Sequence, residues 1–209
     1  MTIDKNDILN SILNNLSKID YIKPGDIPNI PLYMDQVTTF MDAQLESKKR
    51  FEEDKILTKT MINNYAKSDL LPPPLKKKYS KEHLLLLIFI YYFKNFLTIT
   101  DLQSILKPIT DRFFNTDSGF SLEQIYTEVF EMEHEQVQIL KEEIKNAYQR
   151  STETFQDAPK EDQEFLKMFS FICILSFDVY VKKQIIESLI DQMNSSAESK
   201  NKSEKGNKK

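Results

Sequence analysis

The sequence predicts an all-α protein. Glycine is scarce, with 3 in 209 residues, so tight β-turns have few of the residues they usually need. Apolar side chains recur at three- and four-residue steps through most of the chain, the period of an amphipathic helix. No alternating apolar–polar run is long enough for more than a very small pair of strands.

Each element has its own signal. In residues 4–19, Ile8, Leu9, Ile12, Leu13, Leu16 and Ile19 share one helical face, with Asp4 as an N-cap. Pro24, Pro28 and Pro31 then predict an extended connector. Val37, Phe40, Met41 and Leu45 line one side of a helix from Met34 to about Phe51. A short helix comes next, from Leu57 to Lys67, with Thr58 as its cap. Ser80 caps the one after it, which runs to about Phe96. Thr100 and Gln103 predict a capping box for a short helix ending near Pro108. Residues 112–119 read as a linker.

Ser121 and Gln124 predict a second capping box, opening a helix to about Gln149. On it Tyr126, Phe130, Val137, Leu140 and Ile144 form a short heptad broken at Glu133, a pattern that suits either a homodimer seam or packing against the last helix. Asp157 and Pro159 open that last helix, through about Met193. Its first half is apolar nearly all round and therefore predicts a buried helix. Residues 194–209 are Ser, Asn, Lys and Glu and predict a disordered tail. The resulting division is an N-terminal amphipathic helix (1–24), a head (25–110), a C-terminal helical region for dimerisation or regulation (120–193) and the tail.

The formal charge of −4 is unevenly distributed. Lys55 to Lys81 holds seven lysines and one acid, for +6, whereas Asp101 to Phe165 holds fifteen acids and six bases, for −9. A basic patch within a weakly acidic chain suits an anionic partner for that region alone. The single cysteine, Cys173, lies in MFSFICILSF and reads as a buried core thiol. The longest unbroken apolar run, Leu84 to Phe93, is too short to span a bilayer, and the N-terminus lacks a signal-peptide core. These features predict a cytoplasmic protein without a membrane partner.

No catalytic constellation emerges. The sequence has no glycine-rich phosphate loop, CxxC or HExxH. His83 begins an apolar helix. His134 shares a helical face with Glu131 and Glu135, a set that reads as a solvated acidic face rather than a metal centre. Neither a cofactor nor a metal is expected, and nothing argues for an enzyme.

The stretch with the most information is LTKTMINNYAKSDLLPPPLKKKYSKEHLLLLI. Thr58, Lys59, Thr60, Asn63 and Asn64 place hydroxyl, amide and ammonium groups on one side of a short helix, while Met61, Ile62 and Tyr65 face inward. Asparagine can bond N6 and N7 of adenine together in the major groove. Lys76, Lys77 and Lys78 just beyond would meet phosphates. The prolines stop the helix and set the angle at which the lysine segment leaves it.

Residues 57–106 resemble the DNA-binding head of MerR-type transcription regulators. TKTMINNY corresponds to the recognition helix, LLPPP to its exit, LKKKYS to the wing and DLQSIL to the last short helix. IPLYMDQVTTFMD corresponds to the first helix of the helix-turn-helix. The resemblance implies double-stranded DNA as partner, a homodimer, a winged helix-turn-helix fold, and contacts that include Tyr65 and Tyr79. The effector, if there is one, is not named by the sequence.

The chain departs from that pattern in several places. Asn63 and Asn64 stand where the family carries arginine and tyrosine, and Asp69 stands at its helix-exit glycine. The segment AQLESKKRFEEDKI is longer than a compact turn, so either the first helix extends or the module is splayed. Over most of 25–190 the chain also resembles domain-of-unknown-function family 1836. Two function classes therefore stand: a DNA-binding transcription regulator, and a protein-interaction module that keeps the fold without binding DNA.

Overall fold

The computed structural model describes residues 5–16, 21–116 and 119–206. It is predominantly helical. In chain order the elements are α1 (Lys5–Leu16), β1 (Leu32–Tyr33), α2 (Met34–Leu45), α3 (Lys59–Lys67), β2 (Lys78–Tyr79), α4 (Lys81–Phe93), α5 (Ile99–Phe113), α6 (Leu122–Thr152) and α7 (Lys160–Gly206). Among these residues no helix is long and apolar enough to cross a membrane. Asp4, Ile19 and residues 207–209 lie outside the described residues, as do the side chains of Ile8, Glu133, His134 and Glu135.

The chain divides into two compact units. One comprises Ile22–Glu128 with Glu187–Lys209, and the other Met1–Tyr21 with Val129–Ile186. The boundary at Glu128 falls inside α6, after the 112–119 linker read from sequence. Its opening turns belong to the head's core: Tyr126 is fully buried, its hydroxyl donates to the Ile22 carbonyl at 2.6 Å, and its ring meets Phe89 edge-on.

The centre of the larger unit is α4. His83 and Leu84 through Ile90 are all buried, so every face of its first turns is covered. Burying a leucine or isoleucine fully contributes roughly 1.5–3 kcal/mol, which makes this helix the main source of the unit's cohesion. Ser80 caps it, and the ring of His83 completes the cap: Nδ1 accepts from the Ser80 amide at 3.0 Å and lies 2.8 Å from its hydroxyl.

Several expectations need correction at element ends. α2 stops at Leu45, not near Phe51, and is succeeded by one 3₁₀ turn (Glu46–Lys48). The rest of the link is organised by Asp54, whose carboxylate accepts from the amides of Arg50 and Phe51. α2 and α3 pack against each other, so the long link does not splay them. α5 is capped by Thr98 and Asp101 rather than Thr100 and Gln103, and it runs through Pro108 to Phe113. A proline removes one intrahelical donor. Pro108 thus has no amide to give the Ser104 carbonyl, and the turn around it carries a Thr110 hydroxyl bond to the Leu106 carbonyl at 2.8 Å and a Lys107–Asp111 ion pair at 3.0 Å. The Ser121–Gln124 box forms as expected. α7 continues past Met193 to Gly206, into the span expected to lack structure.

In the second unit α6 and α7 pack through Val137, Ala147 and Phe171, all buried, with Tyr148 edge-on to Phe171. Phe130 is buried and stacks on Tyr21. α7 is not buried all round, however. Cys173 is exposed, as are Phe165, Phe169, Ile172 and Phe177. The expectation of a core thiol fails because one neighbouring face covers only one side of an all-apolar helix.

Candidate nucleic-acid interface

α3 is short, and its sequence divides it sharply. The Thr58 hydroxyl accepts from the Met61 amide at 3.2 Å, satisfying one free donor at the N-terminus. Ile62 and Tyr65 point into the core, while Lys59, Thr60, Asn63, Asn64 and Lys67 are exposed. The helix ends where Asp69 adopts φ 54°. The amides of Leu70 and Leu71 then return to the Tyr65 carbonyl at 2.9 and 3.1 Å. This closure through a left-handed residue is usually made by glycine. Leu70 and Leu71 then enter the core. α5 braces the same end, since the Gln103 amide donates to the Ser68 carbonyl.

Pro72 to Pro74 lead to a tight hairpin. The Lys78 amide donates to the Leu75 carbonyl at 2.9 Å. Lys76 and Lys77 both have positive φ, at 50° and 63°. Two consecutive left-handed residues are the mark of a type I′ turn, which matches the twist of a hairpin and normally takes Asn-Gly. Here two lysines occupy it and are thrust into solvent. β2 then pairs antiparallel with β1, with Leu32 opposite Tyr79 and Tyr33 opposite Lys78. Opposed residues share a sheet face. Leu32 and Tyr79 are therefore the buried side, whereas Tyr33, Lys78 and Leu75 form a row on the outer side.

Helix and hairpin converge on the start of α2. Lys59 forms an ion pair with Asp35, and the Lys78 ammonium sits 5.0 Å from the centre of the Tyr33 ring. The exposed face of α3 and the lysine hairpin thus flank Tyr33 and Asp35. Beside the first turn of α3 is an open cavity of about 410 Å³ with mixed charge, lined in part by Asp42, Lys49, Glu53, Asp54 and Lys59. From α6, Glu123 reaches Lys81 at 2.8 Å. Lys81 lies beyond the hairpin, so this contact leaves Lys76 and Lys77 exposed.

Of the ten candidate DNA contacts, Tyr65 and Tyr79 are corrected. They are 6% and 3% exposed, and burial raises the pKa of both phenols. Each is a core residue that carries its neighbours. Thr58 is half-buried and occupied as a cap. Lys59, Thr60, Asn63, Asn64, Lys76 and Lys77 are exposed, and Lys78 is half-buried beside Tyr33. Tyr33 was missed from sequence; its place opposite Lys78 depends on strand pairing, for which a two-residue strand leaves no periodic signal.

The five seam candidates on α6 are taken up inside the chain. Tyr126, Phe130 and Val137 are buried, and Leu140 and Ile144 are half-buried along α7. No group of three or more His, Cys, Asp or Glu able to hold a metal occurs among the described residues.

The family model described as Domain of unknown function (DUF1836) matches residues 22–129. The chain belongs to this family. The matched span nearly coincides with the first segment of the larger unit, Ile22–Glu128, and so makes up most of that unit. It ends well short of residue 190, where the sequence resemblance was expected to reach. No curated protein and no solved structure matches the chain.

Proposed function

We propose that the DUF1836 domain of this chain is a DNA-binding head of MerR-like winged helix-turn-helix type, serving transcription regulation. α3 is its recognition helix and residues 72–79 are its wing. The observation that carries this reading is the segregation on α3: amide, hydroxyl and ammonium groups outward, Ile62 and Tyr65 inward, with exposed lysines at the tip of the hairpin that follows. Asn63 and Asn64 are one residue apart and offer paired donors and acceptors to base edges. Lys76 and Lys77, at the tip of a stiff turn, meet phosphates and fix register. No step of this function is enzymatic.

Fluorescence anisotropy against duplexes from the gene's own upstream region tests the proposal. Affinity should fall with added salt. The Lys76/Lys77/Lys78→Ala variant should bind more weakly and lower the slope of log affinity on log salt by about 0.9 per lost phosphate contact. Absence of binding at low salt, or the same slope in the variant, sinks the proposal.

A second reading has its own support. Lys59 is engaged by Asp35, and Glu53 and Asp54 lie near the first turn of α3, which lowers the local positive potential. A protein-interaction module that keeps the fold without DNA affinity would show that charge balance, and it would give no salt-dependent binding in the same titration.

A further inference from the structure

α6 and α7 leave a groove along their packing seam, with a volume of about 980 Å³. Its floor is apolar: Leu140, Ile144 and Ala147 from α6 and Ile174 from α7, all buried or half-buried. Asn146 and Arg150 stand exposed on the α6 rim. Cys173, Phe177 and Val181, one turn apart, stand exposed on the α7 rim. Concave apolar sites of this size with a few polar groups at the edge are the usual form of small-molecule sites.

The charges in the lining indicate what fills it. Glu143 and Asp178 share the Lys182 ammonium, at 3.9 and 2.9 Å. Arg150, in the last turn of α6, takes part in no ion pair or side-chain hydrogen bond among the described residues. The groove therefore offers one unpaired cation, at one end of an apolar floor. From Arg150 to Leu140 that floor runs about 15 Å along α6. We propose that the groove binds a free monocarboxylate amphiphile, with an alkyl body of roughly ten carbons to match the floor. Its carboxylate meets the Arg150 guanidinium through two parallel hydrogen bonds, and its chain displaces water from Ala147, Ile144 and Leu140. A cationic head is repelled by Arg150, and a neutral head leaves the guanidinium without a counter-charge. The site stands apart from the surface of α3 and does not rest on the DNA-binding reading.

Isothermal titration of the full chain with decanoate, kept below its micelle concentration, should show saturable binding of one molecule per chain. Shorter carboxylates should bind more weakly, by about fourfold for each methylene removed. Arg150→Gln, at an exposed position, should keep the helical circular dichroism and weaken decanoate about tenfold. The same variant should bind decan-1-ol as wild type does, which separates the charge from the apolar floor. Phe177→Glu, also exposed, should weaken both probes. Bound decanoate should slow alkylation of Cys173, the sole thiol of the chain, because that residue stands on the rim. No saturable binding, an Arg150→Gln variant that binds decanoate like wild type, or a Cys173 alkylated equally fast at saturating decanoate would each overturn the proposal. Adsorption to phosphatidylglycerol vesicles without binding of monomeric decanoate would also overturn it, and would assign the groove to a lipid surface.

Discussion

The Lys78 ammonium lies 5.0 Å from the centre of the Tyr33 ring, directly across the two-stranded sheet. This ties the hairpin to the first residue before α2. A cation over an exposed aromatic ring contributes about 0.5–1 kcal/mol. Tyr33→Ala should therefore loosen the hairpin and reduce DNA affinity about two- to fivefold, while Tyr33→Phe, which keeps the ring, should bind like wild type. Anisotropy titrations of the two variants side by side decide it; equal losses would mean that the hydroxyl, and not the ring, matters.

The turn at Lys76 and Lys77 is strained by its own residues. A non-glycine residue held in the left-handed region costs of order 1 kcal/mol, and both lysines are there. Lys76→Asn with Lys77→Gly supplies the pair that this turn prefers. The double variant should unfold at higher denaturant, by about 1–2 kcal/mol in stability, and bind DNA more weakly. A gain in stability with unchanged affinity would remove these lysines from the interface.

His83 links pH to the anchor of the hairpin. Its Nδ1 accepts from Ser80, which leaves the ring proton on Nε2. That nitrogen is buried without a hydrogen bond of normal geometry, although the carbonyls of Pro72 and Pro73 lie near enough to favour the proton. Burial is the larger effect and lowers the pKa of His83. The unfolded chain then takes up a proton near pH 6.5 that the folded chain refuses. The contribution of His83 is fully present above that pH and is lost as pH falls toward the depressed folded value, at no more than about 1.4 kcal/mol per pH unit. Burial shifts its neighbour Glu82 upward, which acts in the opposite direction. The informative quantity is thus the difference between wild type and His83→Gln in denaturant melts. That difference should shrink from pH 7.5 to pH 5; a constant difference would refute the linkage.

Asp69 occupies the left-handed position that closes α3. Glycine there removes the steric cost, so Asp69→Gly should stabilise the domain by about 0.5–1 kcal/mol. Thermal melts would show the gain, and a loss instead would mean that the carboxylate makes a stabilising contact of its own.

Tyr126 carries the first turns of α6 into the head through a 2.6 Å hydrogen bond to the Ile22 carbonyl. Tyr126→Phe leaves that buried carbonyl without this donor and should cost about 1–3 kcal/mol. Chemical denaturation would measure it, and a change below about 0.5 kcal/mol would show that the bond adds nothing beyond what water supplies.

Much of the local structure was legible because its causes are local. The Thr58 cap, the Ser121–Gln124 box and the two-sided character of α3 depend on residues within four positions of each other, and helical periodicity reports them directly. The α5 start was missed because two threonines two residues apart, Thr98 and Thr100, both satisfy a capping pattern, and its end was missed because the helix continues through Pro108 to Phe113.

The sequence by itself determined the helical class, the outward polar face of α3 and the lysine cluster after the prolines. Only the tertiary structure decided which apolar residues are covered. Tyr79 and Tyr126 are equally plausible inside or outside from their spacing, and burial depends on what packs over them. Cys173 and Phe165 show the converse: an all-apolar helix conceals which face its own chain covers and which it leaves open. The left-handed lysines of the hairpin were beyond sequence reading for a related reason. Their side chains disfavour that geometry, and the pairing of β2 with a strand more than forty residues away imposes it.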